Sequence, residues 1–232
     1  AAAIALREIS DPFDFIENTF LKPADASNQR AVNVNTIDEV PDSSWFTNRS
    51  RLTVDDFLLF PDDGKRHEII DGVHYVTPSP ILRHQAISGR LYLSLGNFLA
   101  AHPALGRVYY APLDVIFSRY DVVEPDLLVV AGDQLDILTT KNVQGAPALV
   151  VEILSPGTRK VDEQIKRRLF ERGGVREYWL LDPELDLVKV FRRADDGGFP
   201  RVAELTRENG DTLASPVVPG WSIELARLFA DD

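Results

Sequence analysis

Glu152 stands in the middle of an apolar run, Ala148-Leu-Val-Val-Glu152-Ile-Leu-Ser155-Pro156. A continuous run of this kind reads as a strand covered on both faces. An ionised carboxylate there is costly unless a cation or a hydrogen-bonding partner meets it. Upstream, a second apolar segment, Val122-Val-Glu124-Pro125-Asp126-Leu-Leu-Val-Val130, carries acids near its start. If the two are neighbouring strands, alternation lets Asp126 and Glu152 converge on one cation. Carboxylate oxygens suit Mg²⁺ or Mn²⁺. A cation held there lowers the pKa of a water and stabilises charge developing on a phosphoryl oxygen. The competing readings are a buried structural ion pair for Glu152 and an ordinary turn for Pro125-Asp126.

Lys166 is the next candidate. The pattern predicts a helix from about Arg159 to Arg172, closed by Gly173-Gly174. Its apolar stripe is Val161, Ile165 and Leu169, which leaves Asp162 and Lys166 one turn apart on the flank. That flank can overhang the acids, where Lys166 orients a water or neutralises a phosphate. A plain i,i+4 pair with Asp162 is the alternative. From Arg159 to Arg176 seven basic residues face three acidic ones, so a local field can meet phosphate even in an acidic protein. Arg159, Lys160 and Arg167 are the expected nucleic-acid contacts, while Arg168 and Arg172 read as solvated or phosphate-facing.

The elements that must position these residues can be read around them. Thr53 is a predicted N-cap with Asp55 and Asp56 in the first turn. His67–Val76 reads as a hairpin around Asp71-Gly72. Arg83–His102 is a helix, with Ile87, Leu91, Leu95 and Leu99 along one face. Strands are expected over Arg107–Ser118, Val122–Val130, Ala148–Leu154, Glu177–Leu181 and Leu187–Arg192, and the end, Phe199–Leu205 and Trp221–Phe229, gives a strand and a short helix. The order helix, three strands, helix, strand suits an α/β fold with a mixed sheet and helices on its faces. Residues 1–50 lack such periodicity and read as an irregular arm or short helix, which Phe13, Phe15, Phe20, Trp45 and Phe46 can anchor, before a domain over 51–232.

Composition narrows the chemistry. The 232 residues carry a net charge of −11, which argues against a broad non-specific nucleic-acid coat. Cysteine is absent, so disulfides, thiolate zinc sites and a cysteine nucleophile are excluded. Methionine is absent too, even at position 1, and we expect a processed chain or a fragment. No phosphate-binding glycine loop, dinucleotide fingerprint, G-x-S-x-G or H-E-x-x-H occurs. His67, His74, His84 and His102 form no ligand spacing. No apolar stretch is long enough to span a membrane, and the expected setting is the cytoplasm.

Val123-Glu-Pro125-Asp126-Leu-Leu-Val-Val, followed by Leu149-Val-Val-Glu152-Ile-Leu-Ser155-Pro156-Gly-Thr158, resembles the PD-(D/E)XK nuclease superfamily. More narrowly, the chain is similar to the Uma-two family of bacterial proteins described as restriction endonucleases. Further matching segments are Arg66-His-Glu68-Ile-Ile-Asp71-Gly72, Pro80-Ile-Leu-Arg-His84-Gln85, Ala111-Pro-Leu-Asp114-Val-Ile and Gly174-Val-Arg-Glu177-Tyr178-Trp179-Leu-Leu-Asp182-Pro183. The resemblance covers about Leu52 to Phe229. It implies a restriction-endonuclease-like αβββαβ core and Mg²⁺- or Mn²⁺-dependent cleavage of DNA; residues 1–50 have no counterpart in it and read as an N-terminal extension.

Under this resemblance Asp126 and Glu152 are the metal-binding acids. The superfamily's lysine falls at Leu154, and Lys166 takes its place from the following helix. Glu68 joins Asp126, Glu152 and Lys166 in catalysis, with His84, Asp114, Asp162 and Ser155 in support; Ser155 and Thr158 also read as helix caps. Homodimerisation is a common solution for cutting two strands. Two alternatives stand beside the DNA endonuclease: a catalytically silent member that binds nucleic acid or protein, and a phosphoesterase acting on RNA or nucleotides.

Overall fold

The computed structural model describes residues 51–61, 63–77 and 79–231; the expected arm over 1–50 and its aromatic anchors lie outside them. The first described elements are α1 (Val54–Phe57), β1 (Arg66–Ile70) and β2 (Val73–Thr77). Thr53 and Asp56 cap α1 reciprocally. Asp71 and Gly72 both take positive φ, 54° and 76°, as a two-residue hairpin turn requires. Then follow α2 (Leu82–Ala101), β3 (Gly106–Tyr110), β4 (Val115–Ser118), β5 (Asp121–Val123), β6 (Leu127–Ala131), β7 (Val143–Gln144) and β8 (Leu149–Ile153). A wide π-helical turn, Val161–Lys166, runs into α3 (Arg167–Gly173), which Gly174 closes at φ 95°. The remainder is β9 (Glu177–Asp182), β10 (Leu187–Arg192), β11 (Arg201–Thr206), β12 (Thr212–Ala214), β13 (Ser222–Glu224) and α4 (Leu225–Leu228).

Six strands form the central sheet in the order β11-β10-β9-β8-β6-β3. Only β8 and β9 run parallel; the other neighbours are antiparallel. On one face lie Ile87, Leu91, Leu95 and Leu99 of α2 with Trp221, Leu225 and Phe229. On the other, Leu169 and Phe170 of α3 pack with Val150, Tyr178 and Leu180. Each fully buried aliphatic side chain contributes ~1.5–3 kcal/mol, which holds the two helices to the sheet. A second sheet, β2-β1-β5-β4-β7, adds Ile70, Val115, Val123 and Val143 to the α3-side cluster. The fold is thus mixed α/β, with α2, β3, β6, β8, the second helix and β9 in the expected order.

Two expected strands are each broken in two. Val122–Val130 divides at Glu124-Pro125-Asp126, with β5 in the smaller sheet and β6 in the larger. Arg107–Ser118 divides at Ala111-Pro112, joined by a cis peptide bond, into β3 and β4. Proline donates no hydrogen bond to a ladder, so each apolar run passes from one sheet to the other at its proline. The apolar alternation continues across both breaks and hides them in the sequence.

Candidate active site

Asp126 lies at the crossing between the sheets, one residue before β6. Leu127 pairs with Val151 and Leu128 with Val150, so one further step of this register sets Asp126 opposite Glu152 of β8. The Ile153 amide donates to Asp126 Oδ2 at 2.8 Å. His84, in the first turn of α2, brings Nε2 within 3.1 Å of the same oxygen. Arg66 of β1 donates from a terminal guanidinium nitrogen to Asp126 Oδ1 at 2.9 Å. Three elements therefore fix one carboxylate.

The Lys166 ammonium is fixed in the same way from the acid side. Its Nζ stands 2.8 Å from Glu68 Oε1, 2.9 Å from Glu152 Oε1 and 3.6 Å from Asp162 Oδ1. All four side chains are buried. Glu68 Oε1 also accepts the Glu124 amide at 2.8 Å, which ties the hairpin to the crossing. The inward face of the second helix is Asp162, Lys166, Leu169 and Phe170, with Val161 and Ile165 only half-buried. The expected stripe of Val161, Ile165 and Leu169 does pack against the core, but Asp162 and Lys166, expected on its flank, lie deeper than Val161 and Ile165. An α-helical pitch was assumed, but Val161–Lys166 is wound as a π turn, a feature frequent at functional sites, and the charged pair faces inward.

Burial raises the Glu152 carboxyl well above the usual carboxylate range; Lys166 opposes this, while Asp162, Asp126 and Glu68 add to it. Burial would also discharge Lys166, yet Glu152, Glu68 and Asp162 outweigh it and hold its pKa well above the ordinary value. Asp162 is pushed up to about 6, by burial first. Glu124 is pushed up to about 7 by burial, Asp114 and Glu68. Asp126 moves the other way. Burial opposes its charge, but the His84 hydrogen bond, the charges of His84 and Arg66 and the Ile153 amide hold it at about 2. An ionised carboxylate only accepts, so His84 donates from Nε2, and its buried Nδ1 has no partner among the described residues.

Acids outnumber bases in this cluster. Glu68, Asp126, Glu152 and Asp162 face Lys166, Arg66 and His84, with Glu124 adjoining through a buried Oε2 that has no partner among the described residues. Hard oxygen donors with surplus negative charge fit a divalent cation in chemistry. No trio of His, Asp or Glu side chains among the described residues already stands as a metal shell, because the Lys166 ammonium lies between Glu68 and Glu152. A cavity of about 230 Å³ opens onto Asp126, Glu152, Asp162 and Lys166, so the cluster is reachable from one side.

The other candidates are placed as follows. Asp114 is near Glu124, whose carboxyl it helps to raise, and makes none of the Lys166 contacts. Ser155 hydrogen bonds to Thr158 at 2.9 Å at the start of the second helix and lines the cavity. Arg159 is engaged within the protein, with Asp182 at 2.6 Å and Glu184 at 3.3 Å. Arg167 lies over the Phe191 ring, Arg172 pairs with Asp121 and Asp71, and Lys160 and Arg168 are exposed. Arg66, which reaches the cluster through Asp126, is not among the residues the sequence singles out. Its signal is positional: with Glu68 two residues on, it shares the face of β1 that meets the acids.

No curated protein matches the chain. A crystal structure from Anabaena variabilis, described as "a putative nuclease belonging to DUF820", superposes with a TM-score of 0.65 at 21% identity, covering 77% of this chain and 98% of the other. That likeness shows a shared fold. Residues 54–226 match the Uma2 family, described as "Putative restriction endonuclease". The chain belongs to the Uma2 family and has its restriction-endonuclease-like fold.

Proposed function

We propose that the protein is a metal-dependent endonuclease that hydrolyses phosphodiester bonds of DNA. The observation that carries this reading is the Lys166 ammonium, buried against Glu68 and Glu152 beside the carboxylate opposite Asp126. Asp126 and Glu152 would hold Mg²⁺ or Mn²⁺. Such a cation supplies a water of lowered pKa and charge stabilisation on the phosphoryl oxygens. Lys166 stays charged next to Glu152 and lines the cavity, where it orients the attacking water or meets the negative charge that builds on phosphorus-bound oxygen. Glu68 and Asp162 position Lys166, and Arg66 and His84 position Asp126. The cytoplasm is the setting we propose, and a homodimer would give one centre per strand of a duplex.

The family description supports a nuclease. A second reading has its own support. Both Asp126 oxygens are already engaged, as they would be in a silent member of the fold that only binds nucleic acid. Nicking of supercoiled plasmid with Mg²⁺ or Mn²⁺ separates the two. The native chain should cut only with the metal, and Glu152→Ala should abolish cutting. A folded native chain that cuts under neither metal favours the silent binder.

A further inference from the structure

A second cavity, of about 510 Å³, adjoins the first. The two share Arg66, Pro80, His84 and Asp126, so these side chains form a common wall. The second cavity runs outward between the hairpin, the first turns of α2 and the end of β3. Tyr110, Gln85, Ser88 and Lys65 line it.

Tyr110 pairs with Leu127 across the ladder, and the next amide, Ala111, donates to the Asp126 carbonyl at 3.1 Å. The ring is therefore anchored one step from the candidate metal-binding acid. It is 57% exposed, yet it is not free to swing: Tyr92 of α2 meets it edge-on, with ring centroids 4.6 Å apart. An exposed aromatic ring held in place beside a groove is an unusual use of a large apolar side chain. It is also what base stacking needs, because every base offers a π face. Gln85 and Ser88 add hydrogen-bonding groups to the wall. Among the described residues Lys65 pairs with Asp63, and 59% of its side chain is exposed. A surface pair of that kind is weak, and the ammonium can exchange it for a phosphate.

We propose that this groove is a nucleotide subsite, which takes the nucleotide next to the reacting phosphate, with its base against Tyr110 and its outer phosphate toward Lys65. The inference rests on the nuclease reading for the position of the reacting phosphate. A strand so held passes from one cavity to the other over the Arg66–His84–Asp126 wall.

Binding without cleavage tests it. Single-stranded DNA carrying 2-aminopurine at successive positions is titrated with the full chain in EDTA, and both affinity and fluorescence are read. In the native chain one or two adjacent positions should change in fluorescence more than the rest. Tyr110→Ala should weaken binding about 5- to 150-fold, the span of one lost base stack, and should remove that local signal. Tyr110→Phe keeps the ring and should bind within about twofold of the native chain. Leu93→Ala, at an exposed apolar residue of α2 (61%), should change nothing. Native binding that Tyr110→Ala leaves intact overturns the subsite, as does a loss equal in Tyr110→Phe, or no binding at all. Because no catalysis is read, a native chain that never cuts DNA refutes the nuclease while leaving this result standing. A cutting enzyme indifferent to Tyr110→Ala refutes only the subsite.

Discussion

Lys166 and its acids are a balance of charges, and the balance can be measured against pH. Glu124 at about 7 and Asp162 at about 6 lie above their ordinary values of 4.5 and 3.8, so the folded chain binds more protons than the unfolded one in that range. Stability from such groups is full below the ordinary values and is lost as pH rises through the folded ones. Asp126, at about 2, has the opposite sign: its contribution is present above 3.8 and lost as pH falls through 2. Metal-free protein should therefore be most stable near pH 4–5. It should lose stability steadily as pH rises from there to 8. Urea unfolding in EDTA should show this slope, and Glu124→Gln should flatten its upper part; an unchanged slope would remove Glu124 from the account. In the sequence, Glu152 was legible because an acid inside an aliphatic run has few explanations. Glu68 and His84 were not legible from spacing, since each reaches the site through a tertiary contact, and they entered only through family-like segments.

At the scale of elements, two local shapes carry the site. The π turn over Val161–Lys166 faces Asp162 and Lys166 inward together; the i,i+4 spacing of the pair was visible, but the pitch was not, because periodicity arguments assume 3.6 residues per turn. The β1–β2 hairpin carries Arg66 and Glu68, and its turn was legible from Asp71-Gly72 alone. Gly72 has φ 76°, and a Cβ there would lie 2.5 Å from the Arg51 Cβ. Gly72→Ala should destabilise the fold by more than about 1 kcal/mol. Gly157→Ala, at the cavity mouth where a Cβ meets nothing within 4 Å, should be close to neutral. Equal unfolding midpoints for the two variants would contradict the turn geometry. The proline crossings at Pro112 and Pro125 show the limit of strand reading: apolar alternation marks which residues are buried, not which sheet they join.

At the scale of the whole molecule, two sheets and two helices bring β1, α2, the β5–β6 crossing, β8 and the π turn to one place. The helix and strand order was readable in the chain, but which sheet each strand joined was decided by packing among residues far apart in sequence. None of the described helices is long and apolar enough to cross a membrane. If surplus carboxylate charge marks a cation site, Mg²⁺ or Mn²⁺ at 100 times its dissociation constant should stabilise the native chain by about 2.7 kcal/mol. Thermal unfolding should show a rise that Asp126→Asn abolishes; no shift with either metal would argue against the site. The most direct measurement concerns Lys166 itself: the single-turnover rate of plasmid cleavage, with Mg²⁺ or Mn²⁺, for the native chain and for Lys166→Met. If the ammonium acts on the reacting phosphate, the variant should stay folded and lose about 100-fold or more in rate, the scale of removing one preorganised charge stabiliser. Cleavage by folded Lys166→Met at the native rate would show that the buried lysine serves the fold alone, and the proposed centre would be wrong.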